Sequence, residues 1–286
     1  MVLLFLTILL VVCVVYMVFS VWKWHRLQQL GKSIQVFSDY WQRQNNNYDD
    51  GIDLDNKNNV YLAIGDDFTQ SIGASHPTHG FVTPISKLLQ IKFNNGRPVE
   101  IQNRSWTDAY MCHLLVDNIH GRAIQNRIRW VTVTIASNDV MAPNTTFDDH
   151  EFESQLQKHL HTLCAWLPRG CVIVIADIPF MCLSEHSPWL RDRIQRANAI
   201  LHRIVTTVSE DPTVTDRQQN LKIADVYLHT KAQHIGNSYS LCRVLMHRFK
   251  VSFTCYSHSS VDLIHPNSNG YRAWTQAFQS KFIGDS

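Results

Sequence analysis

Hydrophobic and polar positions divide the chain into three regimes. From Val2 to Trp22 no charged side chain interrupts a run rich in Leu, Val, Ile and Phe. About 20 apolar residues suffice for a helix to cross the hydrocarbon core of a bilayer. Tyr16, Trp22 and Trp24 suit the interfacial aromatic belt. A cleaved signal peptide is the rival reading. Against it, no Lys or Arg precedes the run, the run is long, and no A-x-A site follows. Residues 1–24 are therefore expected to be a single membrane anchor, inserted through residues 2–22. Residues 25–59 turn polar, and from Gln42 to Asn59 there is almost nothing to bury. That stretch predicts a flexible stalk. Its spaced aspartates lack the glycine and the closing glutamate of a calcium loop.

From residue 60 to 286 short apolar runs alternate with amphipathic stretches, which predicts one domain. Strands are expected at Val60–Ile64, Val99–Gln102, Trp130–Ile135, Cys171–Ala176 and Lys222–Val226. Helices are expected at Phe81–Phe93, Asp108–Ile119, Phe147–Trp166, Pro188–Val208 and Asn267–Phe282. Wholly apolar strands alternating with helices imply a parallel sheet covered on both faces. The fold class is thus a three-layer α/β/α domain with a five-stranded, mostly parallel, flavodoxin-like sheet. Such sheets carry functional groups on the loops after the carboxyl ends of their strands.

Charge and cysteine content narrow the chemistry. Charged residues make up 17% of the chain and the formal net charge is +2. With Lys and Arg scattered, no nucleic-acid partner is expected. Seven cysteines include no C-x-x-C pair, which argues against zinc ribbons and thioredoxin-type redox sites. Cys112, Cys164, Cys171, Cys182, Cys242 and Cys255 either pair as disulfides or serve as small buried apolar groups. His150, His159, His161 and Cys164 crowd one helix but match no known ligand spacing, so a solvated face is the better reading. No metal or cofactor is expected. Asn103-Arg-Ser105 and Asn144-Thr-Thr146 match glycosylation acceptors.

Four polar segments sit where strands end or the last helix begins. They are Gly65-Asp-Asp-Phe-Thr-Gln-Ser-Ile-Gly-Ala-Ser75, Asn103-Arg-Ser-Trp-Thr-Asp-Ala109, Ala136-Ser-Asn-Asp139 and Asp262-Leu-Ile-His-Pro-Asn267, the last followed by Gly270-Tyr271. In order and context they resemble the blocks of the SGNH (GDSL-type) hydrolase family over about residues 60 to 282. The first resembles the G-D-S block with its I-G-A-S continuation, the third the G-x-N-D block and the fourth the D-x-x-H-P block. The resemblance implies an ester-hydrolase site with His265 as general base, Asp262 as the group orienting it, and Asn138 as an oxyanion donor. Asp66 and Thr107 join Asn138 as candidate binding residues, and Asp66 has a structural alternative as a helix cap.

Departures from that pattern decide the functional reading. Asp67 stands where the family carries its nucleophilic serine. No glycine near Ser105–Thr107 offers the second oxyanion donor, Ala136 replaces the glycine of the third block, and Ser71 stands where glycine is usual. An anionic Asp67 would hold the imidazole as imidazolium and repel a developing oxyanion. The leading expectation is a membrane-anchored hydrolase-family protein, inactive or weak as a serine esterase, that binds an acylated or glycan ligand. The alternatives are a hydrolase in which Asp67 and His265 activate water or Asp67 attacks directly, and a scaffold or interaction protein. Lys23, Arg26 and Lys32 after the span place the domain in the cytoplasm by the positive-inside rule. Family habit implies the extracellular side, and the sequence leaves the side open.

Overall fold

The computed structural model describes residues 2–49, 58–111, 122–142, 146–185, 187–236 and 264–283. Its centre is a five-stranded sheet of β1 (Val60–Gly65), β2 (Glu100–Ser105), β3 (Ile128–Thr134), β4 (Val172–Ala176) and β5 (Asn220–Ala224). The order is β2-β1-β3-β4-β5 and every pairing is parallel. Along β1 all six residues are buried, as a strand covered on both faces requires. The registers Gly65↔Ser105 and Gly65↔Thr134 bring three strand ends into one row. After β1 the chain moves to β2 on one side and then returns past β1 to β3 on the other. The crevice at that reversal is where such sheets receive ligands.

Helices cover the two faces. Here α2 (Asp67–Gln70) and α3 (Val82–Phe93) follow β1, α4 (Arg122–Gln125) precedes β3, and α5 (Ser137–Met141) and α6 (Asp149–Trp166) follow it. Next come α7 (Pro188–Ser209), α8 (Pro212–Thr215), α9 (Val226–Gly236) and α10 (Gly270–Ile283). The long pair α6 and α7 packs together, while α10 packs on α3, α9 and the β4–β5 side. On α7 the buried positions Leu190, Ile194, Ala197, Leu201, Ile204, Val205 and Val208 recur at the 3–4-residue spacing of a core-facing stripe.

Up to Asp49 the polar stalk is helical rather than a loose linker, and residues 50–57 lie outside the described residues. A single helix, α1, runs from Val2 to Asp49. Its first part exposes Phe5, Leu9, Leu10, Val14, Met17 and Val21. This stretch is long and apolar enough to cross a membrane, with a mean hydropathy of 2.6 over its most apolar window. The later part docks on the domain. Phe37 and Trp41 are buried, with Leu30, Ile34 and Tyr40 packed beside them. Trp41 Nε1 donates to the Gln70 carbonyl at 3.1 Å. Asn45 Nδ2 donates to the Asn103 carbonyl at 2.7 Å, and Asn45 Oδ1 accepts the Asn103 N–H at 3.0 Å. That amide pairs with β2 as another strand would, and so caps an edge that would otherwise stay open. The stretch up to Asp49 departs from the stalk expectation because Leu30, Ile34, Phe37 and Trp41 form a sparse stripe at i, i+4, i+7 and i+11 inside an otherwise polar sequence.

Smaller boundaries also move. Strand β2 extends to Ser105 rather than stopping at Gln102, and β5 ends at Ala224, freeing Asp225 from the sheet. Residues 108–110 are not helical: Asp108 has φ 56°, in the left-handed region. The rest of that expected helix lies outside the described residues. Cys164 and Cys171 are free and buried, filling the small apolar role, and burial pushes their thiols up to about 11 and about 12. The side chains of Cys112, Cys182, Cys242 and Cys255 lie outside the described ones. Asn103 is buried within β2 and so unavailable to a glycosyl group, and Asn144 lies outside the described residues.

Candidate functional site

The turn after β1 is built from two adjacent aspartates with different tasks. Asp66 caps α2 with extended backbone angles, and its Oδ1 accepts the Phe68 N–H at 3.1 Å. The Thr134 hydroxyl donates to the same oxygen at 3.4 Å. Asp66 is fully buried, and its Oδ2 makes no hydrogen bond of normal length. Burial, reinforced by the neighbouring Asp67 charge, pushes its carboxyl up to about 8; the Phe68 N–H and Ser137 hydroxyl only partly oppose this. Asp66 is therefore a cap that keeps its proton at neutral pH. In the unfolded chain the same group ionises above about pH 4. Folding retains a proton that unfolding releases, so stability declines as pH rises from about 4 toward 8. Asp66→Asn is expected to remove that decline, read as a smaller difference between urea unfolding midpoints at pH 5 and pH 8.

Asp67 opens α2 and turns toward the crevice. Its Oδ1 accepts the backbone N–H of Asp108 at 2.9 Å, and its Oδ2 lies 3.5 Å from His265 Nε2. Both side chains are mostly buried, with 11% and 15% exposure. Two groups almost 200 residues apart in the chain thus meet. Helix α10 and its approach hold them there. The Phe68 ring lies between His265, at 6.0 Å between centroids, and Trp274, at 5.0 Å. Tyr271 donates its hydroxyl hydrogen to the Ile72 carbonyl at 2.9 Å, tying α10 to the end of the α2 turn.

The other expected residues fall around this pair. Asn138, in α5 after β3, donates from Nδ2 to the Ala109 carbonyl at 3.0 Å. Its neighbour Asp139 accepts the Met111 N–H at 2.9 Å. These two bonds fix the loop that follows β2. Thr107 donates to Gln70 Oε1 at 2.9 Å, and Gln70 Nε2 donates to the Ser105 carbonyl at 3.1 Å. Thr107 thus braces α2 against the β2 loop. Asp262 lies outside the described residues. Asp108 was missed by sequence reasoning, which looked for a glycine at the second donor position. Aspartate tolerates positive φ better than most residues, and at φ 56° Asp108 presents its N–H to Asp67.

Two further positions given to glycine by the resemblance adopt the left-handed region. Ala136 has φ 78° and Ser71 has φ 71°. Ser71 is fully buried, its hydroxyl oxygen has no partner, and it presses on Gly80, where any Cβ would overlap the Ser71 side chain. A left-handed residue with a Cβ costs about 1–2 kcal/mol, and an unsatisfied buried hydroxyl about 1–3 kcal/mol. Glycine gives back about 1 kcal/mol at most through the unfolded chain. Ser71→Gly is expected to stabilise the protein by about 1–2 kcal/mol, measured as a rise in melting temperature.

Two neighbouring features bear on ligands. A cavity of about 380 Å³ beside Asp139 is lined by Tyr110, Phe147, Phe152, Asp148 and Glu151, among others. Farther along the same sheet edge, Asp177, His202 and Asp225 bring ligand atoms within 4.8 Å of one another, an arrangement that could hold a metal ion. Lys281 already meets Asp225 at 2.8 Å, and His202 Nε2 lies 3.7 Å from Asp177. The hydrogen bond to Asp177 raises the His202 pKa, so protein cations already answer the acidic charge there.

No protein-family model matches the sequence, and no curated protein matches it significantly. Solved structures do match. An α/β hydrolase from the metagenome of Lake Arreo, Spain, superposes with a TM-score of 0.53 at 15% identity, over 78% of this chain and 94% of that one. An acetylxylan esterase from Geobacillus stearothermophilus gives 0.51 at 17% identity, over 79% and 95%. A lipase from a goat rumen metagenome gives 0.55 at 18% identity, over 79% and 98%. At such identities the likeness speaks for the fold, and the chain has the α/β hydrolase fold of these esterases and lipases.

Proposed function

We propose that this protein is a membrane-anchored, SGNH-type relative of these hydrolases whose site binds an acylated or glycan ligand but does not work as a serine esterase. One observation carries the reading: Asp67, the second residue after β1 and the position that the resemblance gives to the nucleophilic serine, is a carboxylate facing His265 and holding the Asp108 N–H. A carboxylate in that place satisfies the imidazole as an ion-pair partner and occupies an amide that would otherwise face an oxyanion. The site is therefore filled by its own charge before any substrate arrives. The adjoining cavity supports the ligand class. Aromatic faces at Tyr110 and Phe147 suit a sugar ring, and the carboxylates of Asp139 and Glu151 suit its hydroxyls.

The spacing of Asp67 and His265 also favours a second reading, in which the pair activates a water molecule on an acyl ester. Fluorophosphonate labelling of the purified chain, run beside turnover of a small acyl ester, separates the readings. The expected result is no label and no turnover above buffer. Labelling abolished by His265→Ala would show a working serine and overturn the proposal. Unlabelled turnover abolished by Asp67→Ala would establish the second reading in its place.

A further inference from the structure

Helix α2, which carries Asp67, is a single turn. A helix supports itself only over several turns, so α2 is held in place by what its ends are tied to. Asp66 caps the first end. At the other end the chain turns back, and the Asp67 and Phe68 carbonyls accept the N–H groups of Ile72 at 3.0 Å and Ser71 at 3.1 Å. The last two carbonyls need donors from outside, as the final carbonyls of any helix do. The Gln70 carbonyl accepts Trp41 Nε1 of α1 at 3.1 Å, and the Thr69 carbonyl accepts Asn103 Nδ2 at 3.0 Å. Asn103 is in turn gripped at both its N–H and its carbonyl by the Asn45 amide of α1.

We propose that Trp41 and Asn45 are positioning residues of the site: by completing the far end of α2, one directly and one through Asn103, they hold Asp67 against His265. The inference rests on the Asp67–His265 ion pair that carries the proposed function.

Two features make the link tight. The Gln70 side chain accepts the Thr107 hydroxyl at 2.9 Å and donates to the Ser105 carbonyl at 3.1 Å. Thr107 precedes Asp108, whose N–H holds Asp67 Oδ1 at 2.9 Å. A displaced Gln70 therefore disturbs both the carboxylate and the amide that binds it. Burial supplies the second feature. Trp41, Asn45, Thr69, Gln70 and Asn103 are all buried, so water does not readily replace a lost donor. A buried carbonyl left without one is costly, and a one-turn helix resists poorly the shift that would satisfy it. The Asp67–His265 contact tolerates little movement: from 3.5 Å, a shift of about 1 Å takes it beyond the 4 Å reach of an ion pair.

The test reads the protonation of His265 in the full chain held in lipid nanodiscs. Diethyl pyrocarbonate modifies neutral imidazole only, so the pH midpoint of modification at His265, followed by peptide mass spectrometry, reports its ion-pair partner. Asp67→Asn, which removes the partner charge, should lower that midpoint by about one pH unit. Trp41→Phe, which keeps the ring and removes the N–H, and Asn45→Ala should each lower it by about half a unit. Leu201→Ala, a truncation in the core stripe of α7, should lower the melting temperature and leave the midpoint at the parental value. A parental midpoint in Trp41→Phe or Asn45→Ala, with Asp67→Asn shifted, would overturn the proposal and leave the ion pair standing. An equal shift in Leu201→Ala would also overturn it, because general loosening would then explain the change. A parental midpoint in Asp67→Asn would remove the ion pair itself, and this inference with it.

Discussion

Asp67→Ser is expected to raise turnover of a small acyl ester at least about a hundredfold over the parent protein, and to make the chain reactive toward fluorophosphonates. Three effects act together. The hydroxyl becomes available as nucleophile, the imidazole of His265 is released from its carboxylate partner, and the Asp108 N–H, now bonded to Asp67 Oδ1 at 2.9 Å, is freed to face a developing oxyanion. One oxyanion donor alone is typically worth about a hundred- to a thousandfold in rate, and a nucleophile, its base and their orienter act as a unit. The serine oxygen sits one bond closer to the backbone than the carboxylate oxygen it replaces, so His265 must close in from its present 3.5 Å contact. A fully restored rate is therefore not expected. Turnover by Asp67→Ser that stays at the parental level, in a variant with an unchanged melting temperature, would show that the surrounding groups no longer form a catalytic frame.

Gly65→Ala is expected to destabilise the domain by at least about 3 kcal/mol, the upper range for overpacking a tight core. Gly65 ends β1 against β3, and a Cβ there would overlap the Thr134 carbonyl and hydroxyl and the Thr69 hydroxyl. The carbonyl belongs to the backbone of a central strand, and it already accepts the Asp66 N–H at 3.1 Å. It cannot swing aside without breaking the turn that carries both aspartates. For a domain of this size the melting temperature should fall by about 6 °C or more. A variant melting within about 2 °C of the parent would mean that β1 and β3 part readily at this end.

The sheet was legible because wholly buried strands such as Val60–Gly65 and Val172–Ala176 have few other interpretations, and helices long enough to interleave with them fixed the parallel topology. The meeting of Asp67 with His265 was legible for a different reason: strand ends share one edge of such a sheet, and the polar segments all fell there. Asp108 was harder to find. Its contribution is a backbone N–H aimed by a positive φ, and no side-chain pattern records that. The docked half of α1 was hidden by averaging, since Phe37 and Trp41 are two large anchors among many polar neighbours, and Asn45 binds β2 through an amide that reads as stalk composition. Ser71 and Ala136 were visible as departures from glycine, but only the structure makes them conformational costs.

With a membrane-spanning α1 as proposed, the unbroken helix sets how far this protein can act. A loose 35-residue tether would let the domain wander by about 30–35 Å around its root. A stiff strut, bolted on through Trp41 and Asn45, permits no such excursion. With α1 inserted as proposed, the crevice at Asp67 is held at one altitude and one orientation above the bilayer. Whatever enters it must come from the molecules found at that level, and partners standing farther off have to approach the protein rather than wait to be reached.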